Sequence, residues 1–158
     1  MAIESVESSR QMLKRGRYLL NTDGGVKNNG HNAPGTLQGD AAIGVVLSDP
    51  GDRVVTTHSS RIGVESVPGT EYRALIAGLE IALELGIEKI RAFVDNQLVV
   101  DQINQKARVR KPYLEDLHAQ TIELLERFPD NRVYWVPRER NREADALVRD
   151  ALYRNGTD

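Results

Sequence analysis

The sequence predicts an α/β domain built on a mixed sheet of five strands with helices packed on it, and three observations carry that expectation. Short β-prone runs broken by turn signals precede residue 70. At residue 70 the apolar period becomes helical. Beyond it, helical and strand-like segments alternate, as crossover connections to parallel strands do. At 158 residues and 40% hydrophobic content, the chain has enough apolar surface for one sizeable core.

The elements follow in order. Residues 1–16 lack an apolar period and read as a flexible extension before a domain spanning 17–158. Tyr18–Thr22 is a first strand stopped by Asp23-Gly24-Gly25, and Ala41–Ser48 is a second, ending in the turn signal Asp49-Pro50-Gly51-Asp52. Arg53–Ser60 supplies a third, so the first three form an antiparallel meander, with Lys27–Gly39 as loop. From Thr70 to Leu85, residues Ala74, Leu75, Leu79 and Ala82 fall at helical spacing, with Pro68-Gly69-Thr70 as breaker and cap and Gly86 as stop. Ile90–Val94 suits a buried parallel strand. Asn96–Asn104 is a short helix, and Pro112 opens a longer one closed by Pro129-Asp130-Asn131. Arg132–Val136 is the last strand, with Trp135 in the core, and Asn141–Tyr153 the last helix.

Composition narrows the chemistry. Without cysteine, and with only three scattered histidines, thiolate and zinc chemistry are excluded and any metal must be held by oxygen. No apolar run is long enough to cross a bilayer and Met1–Arg17 is polar, so a cytoplasmic protein with no membrane contact is expected. The net charge of -2 argues against coating a polyanion by bulk electrostatics. Local cations are still present at Lys106, Arg108, Arg110 and Lys111, and at Arg132, Arg138, Arg140 and Arg142.

Four acids stand at element ends: Asp23 and Asp95 after the first and fourth strands, Glu71 opening the first long helix, and Asp145 in the first turn of the last helix. Each has an ordinary explanation as a turn, cap or first-turn acid. Jointly they point to a cluster beyond the carboxyl ends of the parallel strands. Crowded carboxylates repel unless cations neutralise them, and hard oxygen ligands suit Mg²⁺ or Mn²⁺. Two such ions about 4 Å apart promote in-line phosphodiester displacement. Gly24-Gly25 would let a nucleic-acid backbone come close.

Four segments resemble type 1 ribonuclease H, in the small form without a separate hybrid-binding domain. They are Leu20-Asn21-Thr22-Asp23-Gly24-Gly25, Thr70-Glu71-Tyr72-Arg73-Ala74-Leu75, Val94-Asp95-Asn96-Gln97-Leu98-Val99 and Asn141-Arg142-Glu143-Ala144-Asp145-Ala146-Leu147. The resemblance covers Arg17 to Tyr153. It implies a ribonuclease H-like fold with helices on both faces of the sheet. It also implies a two-metal endonuclease that cuts the RNA strand of an RNA–DNA hybrid, leaving 5′-phosphate and 3′-hydroxyl ends, with no obligate protein partner. By the same resemblance, Asp23 is the ligand shared by both ions, Asp145 its partner at the ion that activates water, and Glu71 with Asp95 the partners at the ion facing the leaving group.

The chain departs from the family at three places. Asn96 stands where serine is frequent. The loop Pro137-Arg138-Glu139-Arg140-Asn141 has no histidine, which leaves Arg138 or Arg140 to touch phosphate. The basic helix of some relatives is absent or reduced to the cations of 106–111. A hybrid is distinguished by 2′-hydroxyls in a shallow minor groove, so Asn21, Asn28, Asn29, Asn96 and Gln97 are candidate readers, the last two foremost. Thr56, Thr57, Ser59 and Ser60 are candidate phosphate contacts or simply an exposed strand face, and His31, His58 and His118 gain no role. Two rival functions stay open at this level: a nuclease that also cuts double-stranded RNA, and a non-catalytic hybrid-binding module. The complete set of acids speaks against the second.

Overall fold

A computed structural model describes residues 16–27 and 38–154. The extension 1–15 and the candidates Asn28, Asn29 and His31 lie outside the described residues. The strands are β1 (Arg17–Lys27), β2 (Gln38–Ser48), β3 (Val54–Ser66), β4 (Lys89–Val94) and β5 (Asp130–Trp135). The helices are α1 (Val67–Glu84), α2 (Gln97–Ile103), α3 (Pro112–Glu126) and α4 (Arg142–Tyr153), with a 3₁₀ turn at Arg138–Arg140. The sheet order is β3-β2-β1-β4-β5. β1, β2 and β3 pair antiparallel, whereas β4 runs parallel to β1 and to β5, which is the mixed sheet the sequence predicts.

Alternation along β1 sorts the layers. Tyr18 and Leu20 enter the main core with Leu75 and Leu79 of α1, Val99 and Val100 of α2, and Leu114 and Leu117 of α3. A smaller cluster on the opposite face joins Ala42 to Val148 and Leu152 of α4. Helices therefore cover both faces. On its side α4 packs on β1, β2 and β3.

Among the boundaries that differ from expectation, three shape the region around Asp23 and the first helix. β1 does not stop at Asp23-Gly24-Gly25: its parallel pairing with β4 ends at Thr22↔Val94, but antiparallel pairing with β2 continues to Lys27↔Asp40. β3 likewise runs on to Ser66, past a left-handed Gly63 at φ 86. The first helix begins at Val67 rather than Thr70, because Ser66 is its cap, accepting the Gly69 amide at 3.1 Å through Oγ. Pro68 falls in the first turn, where a missing amide costs nothing.

Gly24 and Gly25 explain how two helices meet one strand from opposite sides. A Cβ on Gly24 would sit 2.7 Å from the Thr70 carbonyl carbon of α1, and one on Gly25 would sit 2.6 Å from Val148 Cγ1 of α4. On β2, a Cβ on Gly44 would strike the Ala144 carbonyl oxygen. Gly44→Ala is therefore expected to push α4 off the sheet and cost about 1–3 kcal/mol, read as a lower urea midpoint; an unchanged midpoint would contradict this packing.

Candidate active site

Because parallel pairing stops at Thr22↔Val94, Asp23 and Asp95 are the next residues on two adjacent strands. Glu71 comes from α1, which lies against β1 at Gly24, and the Gly24 amide donates to Glu71 Oε1 at 3.2 Å. One carboxylate oxygen from each of Asp23, Glu71 and Asp95 lies within 4.8 Å of the other two. Asp23 is 5% exposed and Glu71 3%, while Asp95 is half-buried.

Burial sets the electrostatics. It pushes the Asp23 carboxyl up to about 7, the charges of Asp95 and Asp145 adding to it, while a hydrogen bond with Glu71 and the positive charge of Arg138 oppose it. Glu71 is raised well above the ordinary carboxylate range, by burial first and then by Asp23 and Asp95. Glu71 Oε2 is buried with no hydrogen-bond donor among the described residues. A buried oxygen without a donor, in an all-oxygen set of like charges, fits a hard divalent cation such as Mg²⁺ or Mn²⁺.

The fourth acid stands at the rim. Asp145 occupies the first turn of α4, its amide donating to the Asn141 carbonyl at 3.0 Å. Its carboxylate pairs with Arg149 Nε at 3.1 Å rather than joining the three-acid group, though its charge acts on Asp23.

The remaining candidates surround the cluster. Asn96 caps α2, its Oδ1 accepting the Val99 amide at 3.1 Å, which also removes the alternative that Asp95 is the cap. Gln97 is exposed and donates to Asp101 Oδ1 at 3.2 Å. Arg138 and Arg140 are exposed on the 3₁₀ turn. Lys106, Arg108 and Arg110 lie in the short segment between α2 and α3, with no helix inserted there.

Two residues near the site have roles the sequence did not disclose. Asn141, 1% exposed, donates through Nδ2 to the Thr22 carbonyl at 2.9 Å and to Asp95 Oδ2 at 3.1 Å, and accepts from Asn21 Nδ2 at 3.1 Å. An asparagine opening a helix reads as a cap, yet its side chain makes no cap bond and ties α4 to both acid-bearing strands. Trp135, expected in the core, is 44% exposed at the end of β5, and its indole N–H donates to the Asp95 carbonyl at 3.3 Å.

A family model described as reverse transcriptase-like matches residues 23–151. The chain is 34% identical over 137 residues to "Bifunctional protein Rv2228c" of Mycobacterium tuberculosis, covering 86% of this chain and 35% of that protein. It is 37% identical over 114 residues to "Ribonuclease HI" of Halobacterium salinarum, covering 72% of this chain and 57% of that protein. The chain thus spans about a third of the mycobacterial relative's length and somewhat over half of the halobacterial one's. Among solved structures, RNase H1 of Halobacterium salinarum superposes with a TM-score of 0.79 at 34% identity, over 87% of this chain and 98% of that one. LC11-RNase H1, isolated from compost by a metagenomic approach and solved in complex with an RNA/DNA hybrid, gives 0.76 at 30%, over 89% and 99%.

The raised carboxyls couple stability to pH. Unfolded, Asp23 loses its proton near 3.8, whereas folded it keeps it up to about 7. Between those values the folded state binds more protons, so the metal-free protein loses stability as pH rises. Its Tm is expected to fall from pH 5 to pH 8, less so in Asp23→Asn, and Mg²⁺ should raise Tm more at pH 8. Equal pH dependence in wild type and variant would contradict the burial assigned to Asp23. Asn141→Ala, which strips Asp95 of a buried donor, is expected to cost about 1–3 kcal/mol in urea unfolding; a change below about 0.5 kcal/mol would show the bridge to be idle.

Proposed function

The chain belongs to the ribonuclease H family, and from that premise we propose that it is an endonuclease hydrolysing the RNA strand of RNA–DNA hybrids. Two divalent cations, Mg²⁺ or Mn²⁺, are held by Asp23, Glu71, Asp95 and Asp145, and the products carry 5′-phosphate and 3′-hydroxyl ends. The observation that carries this reading is the meeting of three carboxylates from three elements within 4.8 Å, two of them almost wholly buried. A cytoplasmic setting is part of the proposal; no described helix is long and apolar enough to cross a membrane.

When bound, the ions supply activation of the attacking water and stabilisation of the leaving oxygen. The chain's own residues do the positioning. Asp23 interacts with each of the other three acids, which suits a ligand shared by both ions. Glu71, fixed by the Gly24 amide, and Asp95, fixed by Asn141, serve one ion. Asp145, on the solvent side and paired with exposed Arg149, serves the other.

The loop that lacks a histidine presents Arg138 and Arg140 to the phosphates of the cut strand. Asn96 spends its oxygen on the helix cap, leaving its amide N–H groups to donate to a 2′-hydroxyl, with Gln97 beside it. Gly24 and Gly25 are needed for helix packing, so their part in binding reduces to backbone atoms.

Asp23→Asn should keep the fold and lose hybrid cleavage by about a thousandfold or more, since it removes several kcal/mol of transition-state stabilisation; substantial residual cleavage by the folded variant would sink the assignment. Arg138→Ala should reduce the slope of log Kd for hybrid against log salt by about one; an unchanged slope would remove Arg138 from the phosphate contacts.

A further inference from the structure

On the face of the sheet that carries α4, that helix packs on β1, β2 and β3, and among the described residues Arg132 and Tyr134 of β5 are exposed. Arg91, Phe93, Arg132 and Tyr134 share that face, because their strand neighbours Ile90, Ala92, Val94 and Val133 are buried in the main core. Phe93 and Tyr134 are paired across β4 and β5 and stack at 5.7 Å between centroids and 23° between planes, with Tyr134 45% exposed. One row below, Arg91 pairs with Arg132 across the same strands. Asp130, on the same face of β5, is engaged by Arg91 at 2.9 Å and by Arg17 at 3.6 Å, so among the described residues of β4 and β5 on this face the cations Lys89, Arg91 and Arg132 outnumber the one acid.

We propose that this face is an accessory binding surface for single-stranded nucleic acid that flanks the hybrid being cut. Sheet-borne aromatics beside guanidinium groups are what such a strand requires: flat surfaces for bases and cations for phosphates. An acidic peptide would use the arginines but leave the stacked ring pair without a purpose. Position favours the same occupant. Phe93 lies two residues before Asp95 on β4, so the ring pair is about 7 Å along the strand from the metal-binding acids. The Arg138–Arg140 turn lies in the connection from β5 to α4. The inference rests on the nucleic-acid reading of the site but assigns a surface that the cleavage reaction does not use.

The test is binding by fluorescence anisotropy with chelator present, so that nothing is cut. It compares a blunt hybrid with hybrids extended by single-stranded RNA, single-stranded DNA or an abasic strand. A base-bearing extension should tighten binding by about tenfold, from stacking of one or two bases, and the RNA and DNA arms identify which strand is held. Tyr134→Ala combined with Arg132→Ala, and separately Arg132→Glu, should remove most of that gain and leave blunt-hybrid binding and cleavage unchanged. No gain in the wild type, a gain that survives both variants, or an equal gain from the abasic strand would each overturn the proposal, the last marking a polyanion or acidic-protein site. Failure of the wild type to cleave blunt hybrid would instead count against the endonuclease reading, and the binding comparison would stand by itself.

Discussion

The rest of the structure depends on the point where β1 parts from β4. Up to Thr22 the two strands run parallel; beyond it β1 continues on β2 alone. Asp23 and Asp95 are left side by side with no backbone partner between them. The adjoining Gly24-Gly25 pair lets α1 close from one face and α4 from the other, and each helix brings an acid, Glu71 and Asp145. Shortening the parallel pairing by a residue would separate the aspartates, and bulk at either glycine would push a helix, with its acid, away.

That placement has a cost which the remainder of the molecule offsets. Two carboxyls more than nine-tenths buried, facing a third, hold a site that is unfavourable whenever they ionise without a cation. The surrounding packing tolerates it: Leu20, Leu75, Leu79, Ile90 and Val94 are fully buried in the main core. Asn141 contributes the neutral part of the solution, joining β1, β4 and α4 through uncharged donors and acceptors. A charged residue there would either deepen the repulsion or compete with the cations for the carboxylates.

Much of this was legible in the sequence. Turn residues and the change of period mark five strands and four helices in order, because those signals are local and each element buries one face. The boundaries at Lys27 and Val67 were not, since the first depends on pairing with β2 and the second on Ser66 acting as cap. Asp23, Glu71 and Asp95 were legible as acids at element ends expected to cluster; the β1–β4 register supplies the geometry that leaves Asp23 and Asp95 side by side. The bridging role of Asn141 was not legible because its partners, Asn21 and Asp95, are far away in the chain. Trp135 was misplaced because an apolar run says nothing about where a helix stops covering its strand.

The most direct test of the central claim is cleavage of an end-labelled RNA–DNA hybrid beside matched double-stranded RNA, duplex DNA and single-stranded RNA, each with Mg²⁺, Mn²⁺ or chelator. The account predicts cutting within the RNA strand of the hybrid, with either ion and never with chelator, leaving 3′-hydroxyl ends. Equal cutting of double-stranded RNA would keep the ion chemistry and refute the substrate assignment. A folded protein that cuts no nucleic acid with either ion would contradict the account at its centre.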